Sequence, residues 1–130
     1  MEEELRALLL ATSAITSLTG NRIDWGATAQ GETGTRLVLW VIDGAEGVTM
    51  SGPDRLFQGR VQADCYADSV SGTMALSRAL LDCLSGYRGG SFQGVFHEST
   101  RLTREGGSNE ANRPFRASLD FLVNWSNDNG

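Results

Sequence analysis

The chain contains no lysine; all 11 of its basic residues are arginine. It has one histidine, two cysteines and two prolines. No stretch approaches the roughly 20 consecutive apolar residues that a membrane-spanning helix needs. Each shortage removes a class of function. With 16 acidic residues against 11 basic ones the net charge is −5, which argues against a general nucleic-acid or anionic-membrane binder, since either needs a basic face. An all-arginine set suits bidentate contacts at interfaces, although biased codon usage is the blander explanation. His97 stands alone on a predicted strand, and no ligand spacing links it to Cys65 or Cys83, so no zinc site is expected. Without a CxxC or His-Cys cluster the two cysteines read as reduced, packed thiols of a protein made in the cytoplasm. There is no GxSxG elbow to present a nucleophilic serine. The opening stretch MEEELRALLL is acidic where a secretory leader would be basic, and the NWS tripeptide at 124–126 therefore carries no weight as a glycosylation acceptor.

What is present fits one domain, residues 1–130, large enough to bury a core without disulfide or metal staples. Hydrophobic residues at 40% and charged residues at 21% are near globular averages, which excludes wholesale disorder. The 16 glycines predict several turns or long loops. Leu5, Leu8 and Leu9 form a helical stripe over 2–11, with Glu2 to Glu4 where the helix dipole favours negative charge. Ser13 is placed to cap a short second turn through Leu18, which Gly20 and Asn21 stop. Residues 22–25 read as a short strand and 26–35 as a loop. LVLWVID, 37–43, is a continuous apolar run whose length suits a strand buried on both faces. After the turn-rich connector 44–54 comes a long alternating strand, 55–67. Asp68 or Ser69 caps a helix over about 70–85 that buries Met74, Leu76, Leu80, Cys83 and Leu84 and ends at Gly86. A loop, a strand over about 92–103 and a polar stretch, 104–114, lead to the clearest alternation in the chain. There Phe115, Ala117, Leu119, Phe121, Val123 and Trp125 alternate with Arg116, Ser118, Asp120 and Asn124. The predicted fold is α+β, a mainly antiparallel sheet with two helices packed on one face. Phe115, Leu119, Phe121, Val123 and Trp125 are expected to be buried opposite Leu80 and Leu84.

Three stretches invite a chemical reading. In GRVQADCYAD an acid, Asp64, adjoins a thiol, Cys65, but successive strand residues point to opposite sides. Cys65 then belongs to the apolar face with Phe57, Val61 and Ala63. Asp64 belongs to the polar face with Gln58, Arg60 and Gln62, paired or solvated. GYRGGSFQG resembles a phosphate loop in composition, yet it runs from helix into strand, which presents the wrong dipole end to an anion. Arg101, Arg104, Arg113 and Arg116 form the densest basic cluster. Only Phe115 interleaves with them, and Glu98, Glu105 and Glu110 dilute them, so a solvated or subunit-facing cluster fits better than a single-strand stacking platform. No catalytic or metal-binding residue emerges, and no cofactor.

The order of features resembles a known family. SAITSL at 13–18, GNRI at 20–23, TAQG at 28–31, LVLWVI at 37–42, RVQADCYAD at 60–68, MALSRALLDCLSGYRG at 74–89 and RASLDFLV at 116–123 follow one another as in the tail completion, or tail terminator, proteins of siphovirus-type tailed phages and their gene transfer agent homologues. The chain departs from the pattern in TSAITSL, which lacks an Asp or Pro before its Leu, and in TRLVLW, which lacks a strand-entry Pro. The resemblance implies a structural, non-enzymatic protein that forms a hexameric ring at the head-proximal end of a non-contractile tail tube. Such a ring ends tube elongation and joins the tail to the head connector. The implied partners are further copies of the chain, the tail tube protein and the head-tail connector or head-completion protein. DNA would pass through the lumen without specific binding, and no membrane is involved. The implied location is the tail neck of a virion or phage-like particle, synthesised in the bacterial cytoplasm. The rivals are a head-completion or other neck or minor tail protein of the same particle and, further off, a small enzyme built around His97 or a free-standing binding module. Segments 44–54 and 104–114 are long and polar. Within them and beside them Glu46, Asp54, Glu105 and Glu110, with Arg55, Arg104 and Arg113, are the candidates for subunit contacts or an acidic lumen.

Overall fold

A computed structural model of the chain describes residues 1–26, 34–44, 55–104 and 115–127. The candidates Glu46, Asp54, Glu105, Glu110 and Arg113 lie outside the described residues, as do the side chains of Arg55 and Arg104 at the ends of their strands. The described residues form three helices, α1 (Glu2–Leu10), α2 (Ser13–Thr19) and α3 (Val70–Leu84). Five strands, β1 (Ile23–Trp25), β2 (Arg36–Gly44), β3 (Arg55–Ala67), β4 (Phe92–Arg104) and β5 (Phe115–Asn127), form one sheet in the order β1-β2-β3-β5-β4. Only the β1–β2 pairing is parallel. β3 and β5 pair residue for residue along their full length, from Arg55 opposite Asn127 to Ala67 opposite Phe115. This long central pair sets which side chains share a face.

The helices start where their local chemistry permits. In α1, Leu5 and Leu9 are buried one turn apart, and Glu2, Glu3 and Glu4 fill the first turn. The cap of α2 is Thr12 and not Ser13. Thr12 makes no side-chain cap bond; its hydroxyl donates instead to the carbonyl of Leu8 at 2.9 Å, which joins the two helices at their corner. Ser69 caps α3 by accepting from the amide of Gly72 at 3.0 Å. Past the C-terminus of α3, Gly86 adopts φ 77, which a side chain would resist, and its N–H turns toward the carbonyl of Val95 to lead the chain into β4.

One face of the sheet carries the core. Leu37 and Leu39 of β2, Phe57, Val61, Ala63 and Cys65 of β3, and Ala117, Leu119, Phe121, Val123 and Trp125 of β5 pack with Leu5, Leu9, Ile15, Leu76, Leu80 and Leu84 of the helices. Three expectations need correction. First, Phe115 is only half-buried, at the end of β5 opposite Ala67. Second, the buried side of α3 is Thr73, Leu76, Ser77, Leu80 and Leu84, while Met74 is 36% exposed and Cys83 half-buried. Thr73 and Ser77 fit a buried face because their hydroxyls donate to the carbonyls of Ser69 and Thr73, each at 2.9 Å. Third, β2 is not buried on both faces. Leu37, Val38 and Leu39 are covered, but Trp40, Val41 and Ile42 are 38%, 38% and 52% exposed. The strand runs past the helices, and a bulge between Val41 and Asp43 breaks its alternation.

Candidate functional site

The second face of the sheet has no helix over it among the described residues. Strand parity and register place its side chains in cross-strand rows. Trp40, Gln62, Asp120 and Ser99 form one row, and Val38, Asp64, Ser118 and Arg101 the next. Arg36, Tyr66 and Arg116 form a third, with Leu122 and Phe96 paired at the opposite end.

The centre of this uncovered face is nevertheless dry. Val38, Asp64 and Ser118 are 3%, 2% and 3% exposed. Side chains of the flanking rows, Trp40, Gln62 and Arg116, converge on Asp64 there. Asp64 is the polar choice that the sequence left open between pairing and solvation, and it is fully paired. Its Oδ1 accepts from Gln62 Nε2 at 2.8 Å and from Ser118 Oγ at 2.7 Å; its Oδ2 accepts from the Trp40 indole at 3.0 Å and lies 4.0 Å from an Arg116 guanidinium nitrogen. A carboxylate this buried is tolerable only with such a full set of donors.

The network continues outward. Arg101 donates to Asp120 at 2.8 Å and reaches Gln62 Oε1 at 3.5 Å, while Ser99 donates to the same Asp120 oxygen at 3.0 Å. Arg60 donates to Glu98 at 2.7 Å, and the Arg36 guanidinium stacks 4.5 Å from the centre of the Tyr66 ring. Within each ion pair the arginine is the outer member. Side-chain exposure is 48% for Arg60 against 30% for Glu98, 53% for Arg101 against 19% for Asp120, and 30% for Arg116 against 2% for Asp64. The face therefore presents guanidinium groups outward above carboxylates held inward. Beside them stand exposed aromatic and aliphatic side chains, Trp40 at 38%, Phe96 at 51% and Leu122 at 38%. Rigid Trp and Arg side chains on an otherwise open surface are the residue types that dominate protein–protein contacts.

The groups that could have suggested catalysis are kept apart. Cys65 lies on the opposite face from Asp64, fully buried in the core. Burial pushes its thiol up to about 12, with a hydrogen bond to the Ser77 side chain opposing the rise and the Asp64 charge adding to it; a thiol in that state is a poor nucleophile. His97 pairs with the Thr100 hydroxyl at 2.7 Å and leans on the Phe121 ring at 5.6 Å. Among the described residues no group of three His, Cys, Asp or Glu side chains is placed to hold a metal ion.

On the helical side, the start of α1 borders an open depression of about 540 Å³ lined by Met1, Glu2, Glu3, Glu4, Trp25 and Trp125. Both indoles are engaged there, Trp25 with the Glu2 carbonyl and Trp125 with the Glu4 carboxylate, each at 3.0 Å. Partial burial pushes the Glu4 carboxyl up, but the Ser91 amide and the Trp125 indole outweigh it, so its pKa lies below the ordinary carboxylate value.

Comparison with known proteins identifies a family and a shared fold. The family model described as tail completion protein gp17 matches residues 3–124. A solved structure titled "Virion of native gene transfer agent (GTA) particle" contains a chain with TM-score 0.64 and 20% sequence identity over 95% of each chain, which shows a shared fold. No curated protein matches the chain.

Proposed function

The chain belongs to the tail completion protein gp17 family, whose model covers residues 3–124, and from that premise we propose that it is the terminator of a non-contractile tail tube. As a family member it is a structural protein of a phage-type tail, located in the particle and associated with other tail and head proteins. Beyond that, the proposed unit is a single domain, 1–130, that assembles into a hexameric ring on the head-proximal end of the tube. The ring halts tube growth and carries the surface to which the head connector docks, while DNA crosses its lumen without specific contacts. No enzymatic step is assigned to it, in keeping with a thiol locked in the core and a histidine bound to a threonine hydroxyl. The segments 44–54 and 104–114 are proposed to adapt to neighbours. Glu46, Asp54, Glu105 and Glu110 either pair there with Arg55, Arg104 and Arg113 or line the lumen.

Family membership is the observation that carries this reading. The polar-locked open face supports it, because a subunit of a closed ring must carry surfaces for other chains. Deleting the gene and imaging the particles tests it. Tubes of uncontrolled length, or tails separate from heads that have filled normally, are expected; tails of normal length joined to filled heads would refute it.

A further inference from the structure

The open face of the sheet and the start of α1 lie on opposite sides of the molecule, and their surfaces are complementary. On the open face, Arg60 and Arg101 project beyond their partner carboxylates, next to the exposed rings of Trp40 and Phe96. On the helical side, Glu3 is exposed at the rim of the depression between Trp25 and Trp125, beside a half-buried Glu2 whose carboxylate lies 3.7 Å from the N-terminal ammonium. One side offers cations beside exposed aromatic rings, and the other offers carboxylates around a depression lined by two indoles. We propose that these two surfaces meet between successive copies of this chain, the open face of one copy docking on the α1 side of the next. This rests on the terminator reading and specifies which faces its ring would use.

Three physical points support a second copy as the occupant. The chain is acidic overall, at −5, so a further copy supplies the negative surface that the projecting arginines favour. The open-face side chains are held before any partner arrives, Trp40 by Asp64, Arg101 by Asp120 and Arg60 by Glu98, which lowers the ordering cost of association. The two surfaces also differ and lie on opposite sides of one sheet. A contact of that kind is heterologous and repeats from copy to copy, so it closes into a ring when the rotation permits. An isologous dimer would instead need one face to complement itself.

The test uses the full chain and measures its mass in solution by light scattering, with the thermal midpoint as a control for folding. Phe96→Asp and Arg101→Glu alter exposed side chains of the open face, and Glu3→Arg alters the exposed rim of the α1 side. Each is expected to weaken self-association by about tenfold or more, as lost complementary charge or anchor contacts do, while the midpoint stays near that of the wild type. Mixing Arg101→Glu with Glu3→Arg should recover part of the association, because copies that alternate around a ring pair opposite charges at every contact, and combining the two changes in one chain should do the same. Wild-type mass retained by all three single variants would overturn the proposal, as would a wild-type chain that stays monomeric at high concentration. Failure of the terminator reading is distinct and is seen in the particles. Gene deletion leaving tails normal refutes that reading whatever the masses show, whereas unaffected masses together with uncontrolled tails upon deletion refute only the choice of faces.

Discussion

The two faces of the sheet are held by different physics. On the helix-covered face every strand contributes apolar side chains to a dry core, and the contacts are non-directional. On the open face the central row is equally dry, but it is closed by directed bonds converging on the buried Asp64 from Trp40, Gln62 and Ser118. An apolar residue at position 64 could pack there without needing those donors, and buried polar networks are often neutral at best for stability. What the carboxylate achieves is a fixed orientation for a tryptophan that stands at the surface and a counter-charge for Arg116. The covered face makes the fold, and the open face makes a shaped, pre-set surface.

Substitutions on each face separate the two roles. The largest loss of stability is expected on the covered face. Phe121→Ala, at a side chain 1% exposed, should cost roughly 3–5 kcal/mol in denaturant unfolding, as large-to-small core changes do; a midpoint that hardly moves would mean the strand parity is wrong. Asp64→Ala on the open face should cost less, about 2–3 kcal/mol, chiefly by stranding buried donors. It should also free the Trp40 ring, read as a change in tryptophan fluorescence that Asp64→Asn, which keeps an acceptor, largely avoids. A loss equal to that of Phe121→Ala would erase the contrast between the faces.

The smallest effect belongs to Cys65→Ala, about 1 kcal/mol for a small buried side chain, and it carries a pH signature. In the folded chain the thiol titrates only near about 12, and in the unfolded chain near its ordinary value. Between those values the unfolded state binds fewer protons, so wild-type stability is complete below the lower value and falls as pH rises through the higher one. Thermal midpoints measured across that alkaline range should fall more steeply for wild type than for Cys65→Ala. Parallel curves would show that the thiol is not sealed in the core.

The covered face was legible in the sequence because its signal is local. The alternation from Phe57 to Cys65 and from Ala117 to Trp125 identifies core residues without knowledge of any partner strand. The open face was only half legible. Parity put Asp64 on the polar side, but its burial depends on Trp40, Ser118 and Arg116, which register brings from 24 or more positions away. Nothing in a run of neighbours shows that a polar row will be dry. Hydropathy misled in two other places for related reasons. The run of apolar residues in β2 suggested burial on both faces, yet the helices cover only one side and leave Trp40 and Ile42 at the surface. In α3, Thr73 and Ser77 were passed over because local bonds to the preceding turn hide their hydroxyls, which residue type alone does not reveal. The loop acids and arginines named from polarity, Glu46 and Glu110 among them, lie outside the described residues; the surface that the structure does define is built from strand residues instead.

The claim that joins these observations is that the exposed side chains of the open face serve assembly and not folding. Its most direct test is the distribution of tail lengths in particles whose only copy of the chain carries Phe96→Asp, a change at a side chain 51% exposed. The account predicts a soluble protein with a near wild-type thermal midpoint and tails that are of uncontrolled length or detached from filled heads. Tails of wild-type length joined to filled heads, from particles that contain the folded variant, would contradict it.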